Sequence, residues 1–291
     1  MTIQDAQRKL GILALSVVSA LTSGCVVFVS AGCDWDHSPA VWTEETVQLA
    51  IDSSGLTAME VRTDNGEIDF TGQPAGTPGT VAVRKKAGGR DMEEAKAAMD
   101  AIEITSERLA NGEQKLGWRW KGFKKSNWAA DVAFAIQAPG NIRLDAETHN
   151  GAVTATGLTG DVQVTTHNGK IKVDSRSGKL DAETHNGAIA VTYAGPSITL
   201  ETHNGEIKAD LRESERIRGD MTTHNGAIEI SVGSSTAADV VAETNNGRVS
   251  HDASITVGSS EKSRLEGKIG PGGERLELST HNGSISIKAA G

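Results

Sequence analysis

Beyond residue 33 the chain has no cysteine, because its two lie at Cys25 and Cys33. The folded part therefore has no disulfide framework, no cysteine-based metal site and no thiol nucleophile. Aromatics are nearly as scarce, at 3% of 291 residues, and unevenly spread. Trp35, Trp42, Trp118, Trp120 and Trp128 all come early, the last phenylalanine is Phe134, and only Tyr193 follows. The two regions on either side of residue 140 must fill their cores differently. An excess of cations is also missing. Against 38 acidic residues stand 29 Lys and Arg, a net charge of −9, which argues against nucleic acid, since phosphate backbones are held by clustered basic residues. With 37% hydrophobic residues the chain can still bury a sizeable core, as one elongated or two compact domains.

Charge is absent from Leu10 to Cys33, after the basic pair Arg8 and Lys9. Residues 1–33 thus read as an export signal outside the fold. Two stretches, Leu21-Thr22-Ser23-Gly24-Cys25 and Val29-Ser30-Ala31-Gly32-Cys33, resemble the lipobox of bacterial lipoproteins. Cys33 is the expected acylation site, because cleavage at Cys25 leaves the apolar Val26-Val27-Phe28-Val29 at the mature terminus; Cys25 is the alternative and gives a signal of more usual length. Plain secretion and an uncleaved membrane helix are the other readings. The expected location is the cell envelope, by a lipid anchor on the outer membrane, at its periplasmic face or on the cell surface.

Residues 34–140 mix strand-like runs with one helix, expected over about 91–103. Asp91 caps it, Glu94 reaches back, and Met92, Ala95, Met99 and Ile102 share a face. The run from Leu116 to Lys125 combines indoles and cations. It reads either as a contact for membrane headgroups or glycan, or as a strand whose alternating rings cap the core.

From residue 141 to 291 the chain is periodic. Asn-Gly recurs at Asn150-Gly151, Asn168-Gly169, Asn186-Gly187, Asn204-Gly205, Asn225-Gly226, Asn246-Gly247 and Asn282-Gly283. The first intervals are 18 residues, two are 21 and the last is 36, which reads as two units with a degenerate turn at Leu265–Ile269. An earlier copy stands at Asn65-Gly66. Each unit holds two short alternating strands, for instance Leu144, Ala146 and Thr148 before the turn and Val153 and Ala155 after it. Asn-Gly is also the strongest hairpin signal, and register alone permits an antiparallel meander. Burial disfavours it, because Ala, Thr and Val cannot fill a wide barrel. Stacked coils of 18–21 residues need only a thin core. The expected fold is all-β, a parallel β-solenoid with one short helix in its N-terminal capping region. The asparagines should form an inter-coil amide ladder, with each glycine in the left-handed conformation.

The lipobox, the helix after a first Asn-Gly strand pair, and tandem "NGxI" and "SGxL" strands resemble the bacterial putative adhesin family, a domain-of-unknown-function group of β-strand repeat proteins. The resemblance covers most of residues 45–291. It implies a non-enzymatic, extracytoplasmic β-solenoid.

His149, His167, His185, His203, His224 and His281 all directly precede an Asn-Gly asparagine, while Asp64 and Asn245 replace them in two copies. Stacked coils would bring these rings into an outward row. His149, His167, His185, His203 and His224 are accordingly candidate Zn or Cu ligands, and the row is a candidate pH-responsive element; the alternative is a solvated corner propagated by duplication. Glu147, Glu183, Glu201 and Glu243 form a second row. A repeated row does not single out a catalytic centre, so a polysaccharide-active enzyme is the weaker reading. Expected partners are the membrane through the lipid anchor, and a glycan, matrix or envelope protein. Edge-to-edge self-association through a last, uncapped strand at Ser284–Ala290 is a further expectation.

Overall fold

The structure, a computed structural model, describes residues 39–252 and 255–289 together with the backbone of Val26–Val29. Cys25, Cys33 and Ala290 lie outside the described residues. Alternating strands build two facing twelve-stranded sheets. Strands that end at Asn-Gly lie in one, here the histidine sheet; strands that follow Asn-Gly lie in the other, the isoleucine sheet.

Equivalent residues meet in register. Val164 lies beside Ala146 and Ala182 in the histidine sheet, and Val153 beside Ile171 in the isoleucine sheet, all parallel. No meander runs through the Asn150-Gly151 corner, since Arg143–Asn150 and Val153–Leu158 belong to different sheets. Inward positions alternate strictly, so Leu180, Ala182 and Thr184 are buried opposite Ile189 and Val191. Small side chains suffice because each coil is only two strands thick. Tyr193 is the exception, wholly buried, with its hydroxyl oxygen 2.7 Å from the Gly178 carbonyl and accepting from Ser197 N at 3.0 Å.

Coil order departs from sequence order at both ends. The coil formed by Ala58–Asn65 and Ile68–Gln73 lies between the 143–158 coil and an outer coil made of Glu113–Trp120 and Ala129–Pro139. At the far end, Arg275–Asn282 and Ile285–Ala289 lie between the 218–232 coil and the 238–251 coil. The last strand is therefore not a free edge. Ile285–Ala289 has Ile228–Val232 on one side and Val249–His251 on the other, which removes the stated motive for association through it. Nor is Leu265–Ile269 a coil corner. It belongs to Arg264–Ile269, which runs antiparallel to Ala238–Asn246 and, with Ile255–Ser260, closes that end of the histidine sheet.

At the opposite end Val41–Ile51, Gly79–Gly89 and Ala129–Pro139 run antiparallel. The helix Met92–Ala101 packs on the first two of these and ends the core. Asp91 accepts from Glu94 N at 2.8 Å, as in a capping box, and Glu94 in turn accepts from Arg90 N at 3.1 Å, so only the return bond is displaced, by one residue, from the ideal pattern. It stops at Ala101 because Ile102 is already extended, paired with Trp120. Val26–Val29, inside the segment read as a signal, pairs antiparallel with Val41–Ile51.

Candidate functional site

The corner of each coil is built by three residues with different tasks. Asparagine side chains form a continuous chain of amides: Asn150 donates to Asn65 at 2.7 Å, Asn168 to Asn150 at 2.7 Å, Asn186 to Asn168 at 2.8 Å, Asn204 to Asn186 at 2.8 Å and Asn225 to Asn204 at 2.8 Å. Asn282 then donates to Asn225 at 2.8 Å and Asn246 to Asn282 at 2.9 Å, which follows the spatial order of the coils. Inward threonines clamp the same corner. Thr184 Oγ1 donates to the Gly169 carbonyl at 3.0 Å, Thr202 to Gly187 at 2.9 Å and Thr280 to Gly226 at 2.9 Å.

The glycines differ from the expectation of a left-handed backbone. Gly66 has φ +147, but Gly151, Gly169, Gly187, Gly205, Gly226, Gly247 and Gly283 are not among the positive-φ residues. Space requires glycine there: a Cβ on Gly187 would lie 1.8 Å from the Gly169 carbonyl oxygen, and the next coils repeat the clash.

These clamps hold the histidines in an ordered stack on the outer face. Ring centroids of His149, His167, His185, His203, His224 and His281 follow one another at 4.7 to 4.8 Å, with interplanar angles of 2 to 4°. Asn245 Nδ2 meets His281 Nδ1 at 3.0 Å and closes one end. Parallel rings at that spacing do not converge on a shared ion, since two Zn–N bonds span at most about 4.2 Å. A bridging metal needs the rings turned out of the stack, and among the described residues no group of three or more His, Asp or Glu side chains is arranged to hold one.

Carboxylates three positions before the corner asparagines flank the stack, but unequally. Arg62 lies 3.2 Å from Glu147 and 2.7 Å from Asp145, and Arg264 lies 2.5 Å from Glu243. Partial burial alone would lower the Arg62 guanidinium; the Asp145 hydrogen bond and the charges of Asp145, Glu147 and Glu60 outweigh it and hold it above its ordinary value. Glu183 and Glu201, in the middle, make no ion pair among the described residues. Beyond Glu201 the row is interrupted by Thr222 and Ser279, leaving a depression of about 400 Å³ beside His203, His224 and His281. Arg62, Thr222 and Ser279 stand at the glutamate position of their own copies, so a break in the row was their signal, whereas Arg264 comes from an antiparallel strand outside the repeat and had none.

The family assignment rests on the sequence as a whole. The Toastrack DUF4097 family model matches residues 24–288. The chain belongs to the Toastrack DUF4097 family. No curated protein matches this Toastrack chain. Solved structures similar to it include a putative adhesin from Parabacteroides distasonis, 12% identical, covering 84% of this chain and 96% of that one with a TM-score of 0.43. A putative cell adhesion protein from Clostridium sporogenes is 12% identical over 85% of this chain and all of that one, at a TM-score of 0.36. A putative lipid binding protein from Parabacteroides distasonis is 11% identical over 84% and 97%, at 0.38. None of this Toastrack chain's helices among the described residues is long and apolar enough to cross a membrane.

Proposed function

We propose that the protein is a non-enzymatic binding scaffold of the cell envelope, adhesin-like, whose recognition surface is the outer face of the histidine sheet. The carrying observation is the unpaired centre of that face, Glu183 with His185 and Glu201 with His203, beside the depression at Thr222 and Ser279. Carboxylate acceptors next to imidazoles at a fixed repeat suit a polymer that offers hydroxyl and amide groups at intervals, such as a matrix glycan. The clamped corners keep those groups in place before a partner arrives, which lowers the entropy lost on binding. Because the chemistry recurs from coil to coil, it supplies extended contact and no single reacting centre.

The test is attachment of cells displaying the full chain to glycan-coated surfaces. Replacement of the four central side chains (Glu183→Gln, His185→Asn, Glu201→Gln, His203→Asn) should abolish attachment and leave the melting temperature nearly unchanged. Attachment equal to the parent overturns the reading. The second reading, a Zn or Cu site on the row, is separated by the same assay: attachment that survives chelation, with no stoichiometric metal by elemental analysis, removes it.

Lipid anchoring is part of the proposal, and here Cys25 replaces Cys33 as the better site. Cleavage before Cys33 would discard Val26–Val29, which pairs with Val41–Ile51, and the family match begins at residue 24. Metabolic labelling with a fatty acid should be lost in Cys25→Ser and retained in Cys33→Ser; the reverse pattern restores Cys33.

A further inference from the structure

The outermost coil at the helix-capped end departs from the others at its corner. Where they turn through Asn-Gly, this coil runs from Trp120 to Ala129 through an exposed loop, residues 121–127, that leads into buried Trp128. Phe123 at its tip is 90% exposed, against 40% for Val257, the other exposed large hydrophobic side chain among the described residues. Gly122, at φ +76, makes the turn.

The loop is fastened on a cluster of indoles. Trp118 and Trp120 centroids lie 5.5 Å apart, and Trp120 and Trp128 lie 5.8 Å apart. Lys124 Nζ stands 5.8 Å from the Trp120 ring and Lys125 Nζ 5.2 Å from Trp128, while Lys121 Nζ donates to the Asp100 carbonyl at 3.1 Å. From Gln114 to Ala130 there is no acidic residue, yet Lys115, Arg119, Lys121, Lys124 and Lys125 all fall there. The acids beside this segment are already paired: Glu94, hydrogen-bonded by Asn127, with Arg90, Glu103 with Arg119 and Glu60 with Lys115, which leaves the lysines of the loop itself, Lys124 and Lys125, with no ion pair among the described residues.

The chain's entry point lies at the same corner. Trp42 pairs with Gly88, and Gly88 with Ala129, so the entering strand and the strand leaving the loop are separated by one strand, about 10 Å across. Lys86 Nζ stands 5.1 Å from the Trp42 ring, a further cation and indole on this side.

We propose that this loop seats the protein on a bilayer: Phe123 enters the interfacial region while Lys121, Lys124 and Lys125 meet anionic headgroups. An apolar tip ringed by amphipathic cations and indoles has the composition that partitions to that interface. A negative surface attracts such a cluster within a Debye length, whereas the rest of this acidic chain is repelled, which stands the rod on its helix-capped end. A glycan is the poorer fit, because the Trp120 and Trp128 faces that would stack on sugar are taken by each other and by lysine. The inference is independent of the ligand face and of which cysteine is acylated.

The test uses the full chain reconstituted with vesicles of phosphatidylcholine, alone or mixed with phosphatidylglycerol. An indole is introduced by Phe123→Trp or, at the opposite end, by Val257→Trp, and its emission is read as the difference from the parent chain. On anionic vesicles Phe123→Trp should emit at shorter wavelength and lose quenching by acrylamide, and Val257→Trp should do neither. Added salt should restore the quenching, and each Lys→Gln change at residues 121, 124 and 125 should weaken loop association about fivefold. Quenching of Phe123→Trp that is the same with and without vesicles, or the same protection of Val257→Trp, overturns the seating. Protection that is equal on neutral vesicles overturns the assignment to anionic headgroups.

Discussion

The hydroxyl of Thr184 donates to the Gly169 carbonyl, and the same carbonyl is the atom that a Cβ on Gly187 would strike. Two side-chain choices thus answer to one oxygen. Threonine satisfies it and glycine leaves it room, so the spacing Thr-X-Asn-Gly is a unit of coil-to-coil contact and more than a turn signal. Thr184 is buried, at 2% exposure, so Thr184→Val keeps the shape and strands the carbonyl without its donor. The expected loss is about 1–3 kcal/mol, read by denaturant unfolding, and Thr184→Ser should recover most of it. If Val and Ser variants unfold at the same denaturant concentration, the clamp contributes nothing. Gly187→Ala should be worse than either, because the oxygen that it meets belongs to the backbone of a neighbouring coil that cannot step aside.

At the scale of strands and helix, what could be read in advance was what depends on local period. Leu180, Ala182 and Thr184 alternate with charged neighbours, and that period of two fixes which face is buried. Asp91 marks the start of the helix for the same reason, since a cap acts within one turn. Its end was less legible: the apolar spacing runs on to Ile102, but pairing of Ile102–Arg108 with Glu113–Trp120 takes that residue into a strand. The glycine conformation is not legible from the dipeptide, because Asn-Gly is a hairpin signal in isolation, whereas here the approach of the next coil decides. Stacking order left no trace at all. Every strand that ends in Thr-X-Asn presents the same ladder to its neighbours, so Asn282 fits Asn225 and Asn246 as well as these two would fit each other. The interval of 36 residues reads as two units, but it contains the antiparallel pair Ile255–Ser260 and Arg264–Ile269, and nothing in it says that the coil after it lies inside the coil before it. On the candidate face, the histidine and glutamate rows were visible as repeats; of the arginines that silence the outer carboxylates, Arg62 stands at the glutamate position of the Asn65-Gly66 copy, while Arg264 comes from an antiparallel strand outside the repeat.

For the whole molecule, the inserted coils tie completion of the rod to chain segments far apart in sequence. Ala238–Asn246 pairs with Arg275–Asn282 on one side and with Arg264–Ile269 on the other, and the neighbouring Ala237 adds a single bridge to the preceding coil, its N donating to the Glu215 carbonyl at 2.8 Å. Backbone bonds bind the inserted coil on both sides: Ile228 N donates to the Ser284 carbonyl at 3.0 Å, and Ile285 N to the Arg248 carbonyl at 3.0 Å. A coil added last in a sequence-ordered solenoid would fray, since terminal repeats have one neighbour. Here the last coil has two, so its amides should exchange as slowly as those of mid-rod strands such as Ser197–Asn204, despite lying at the end of the chain. Hydrogen exchange read by mass spectrometry over 275–289 checks this directly, and fast exchange there would place the coil at the tip. Truncation before Arg275 sharpens the distinction. In a sequence-ordered rod it would remove one end coil and leave the rest protected; with the coil inserted, residues 238–251 lose their strand pairing towards the 218–232 coil, keep only the bridge at Ala237, and should lose protection as well.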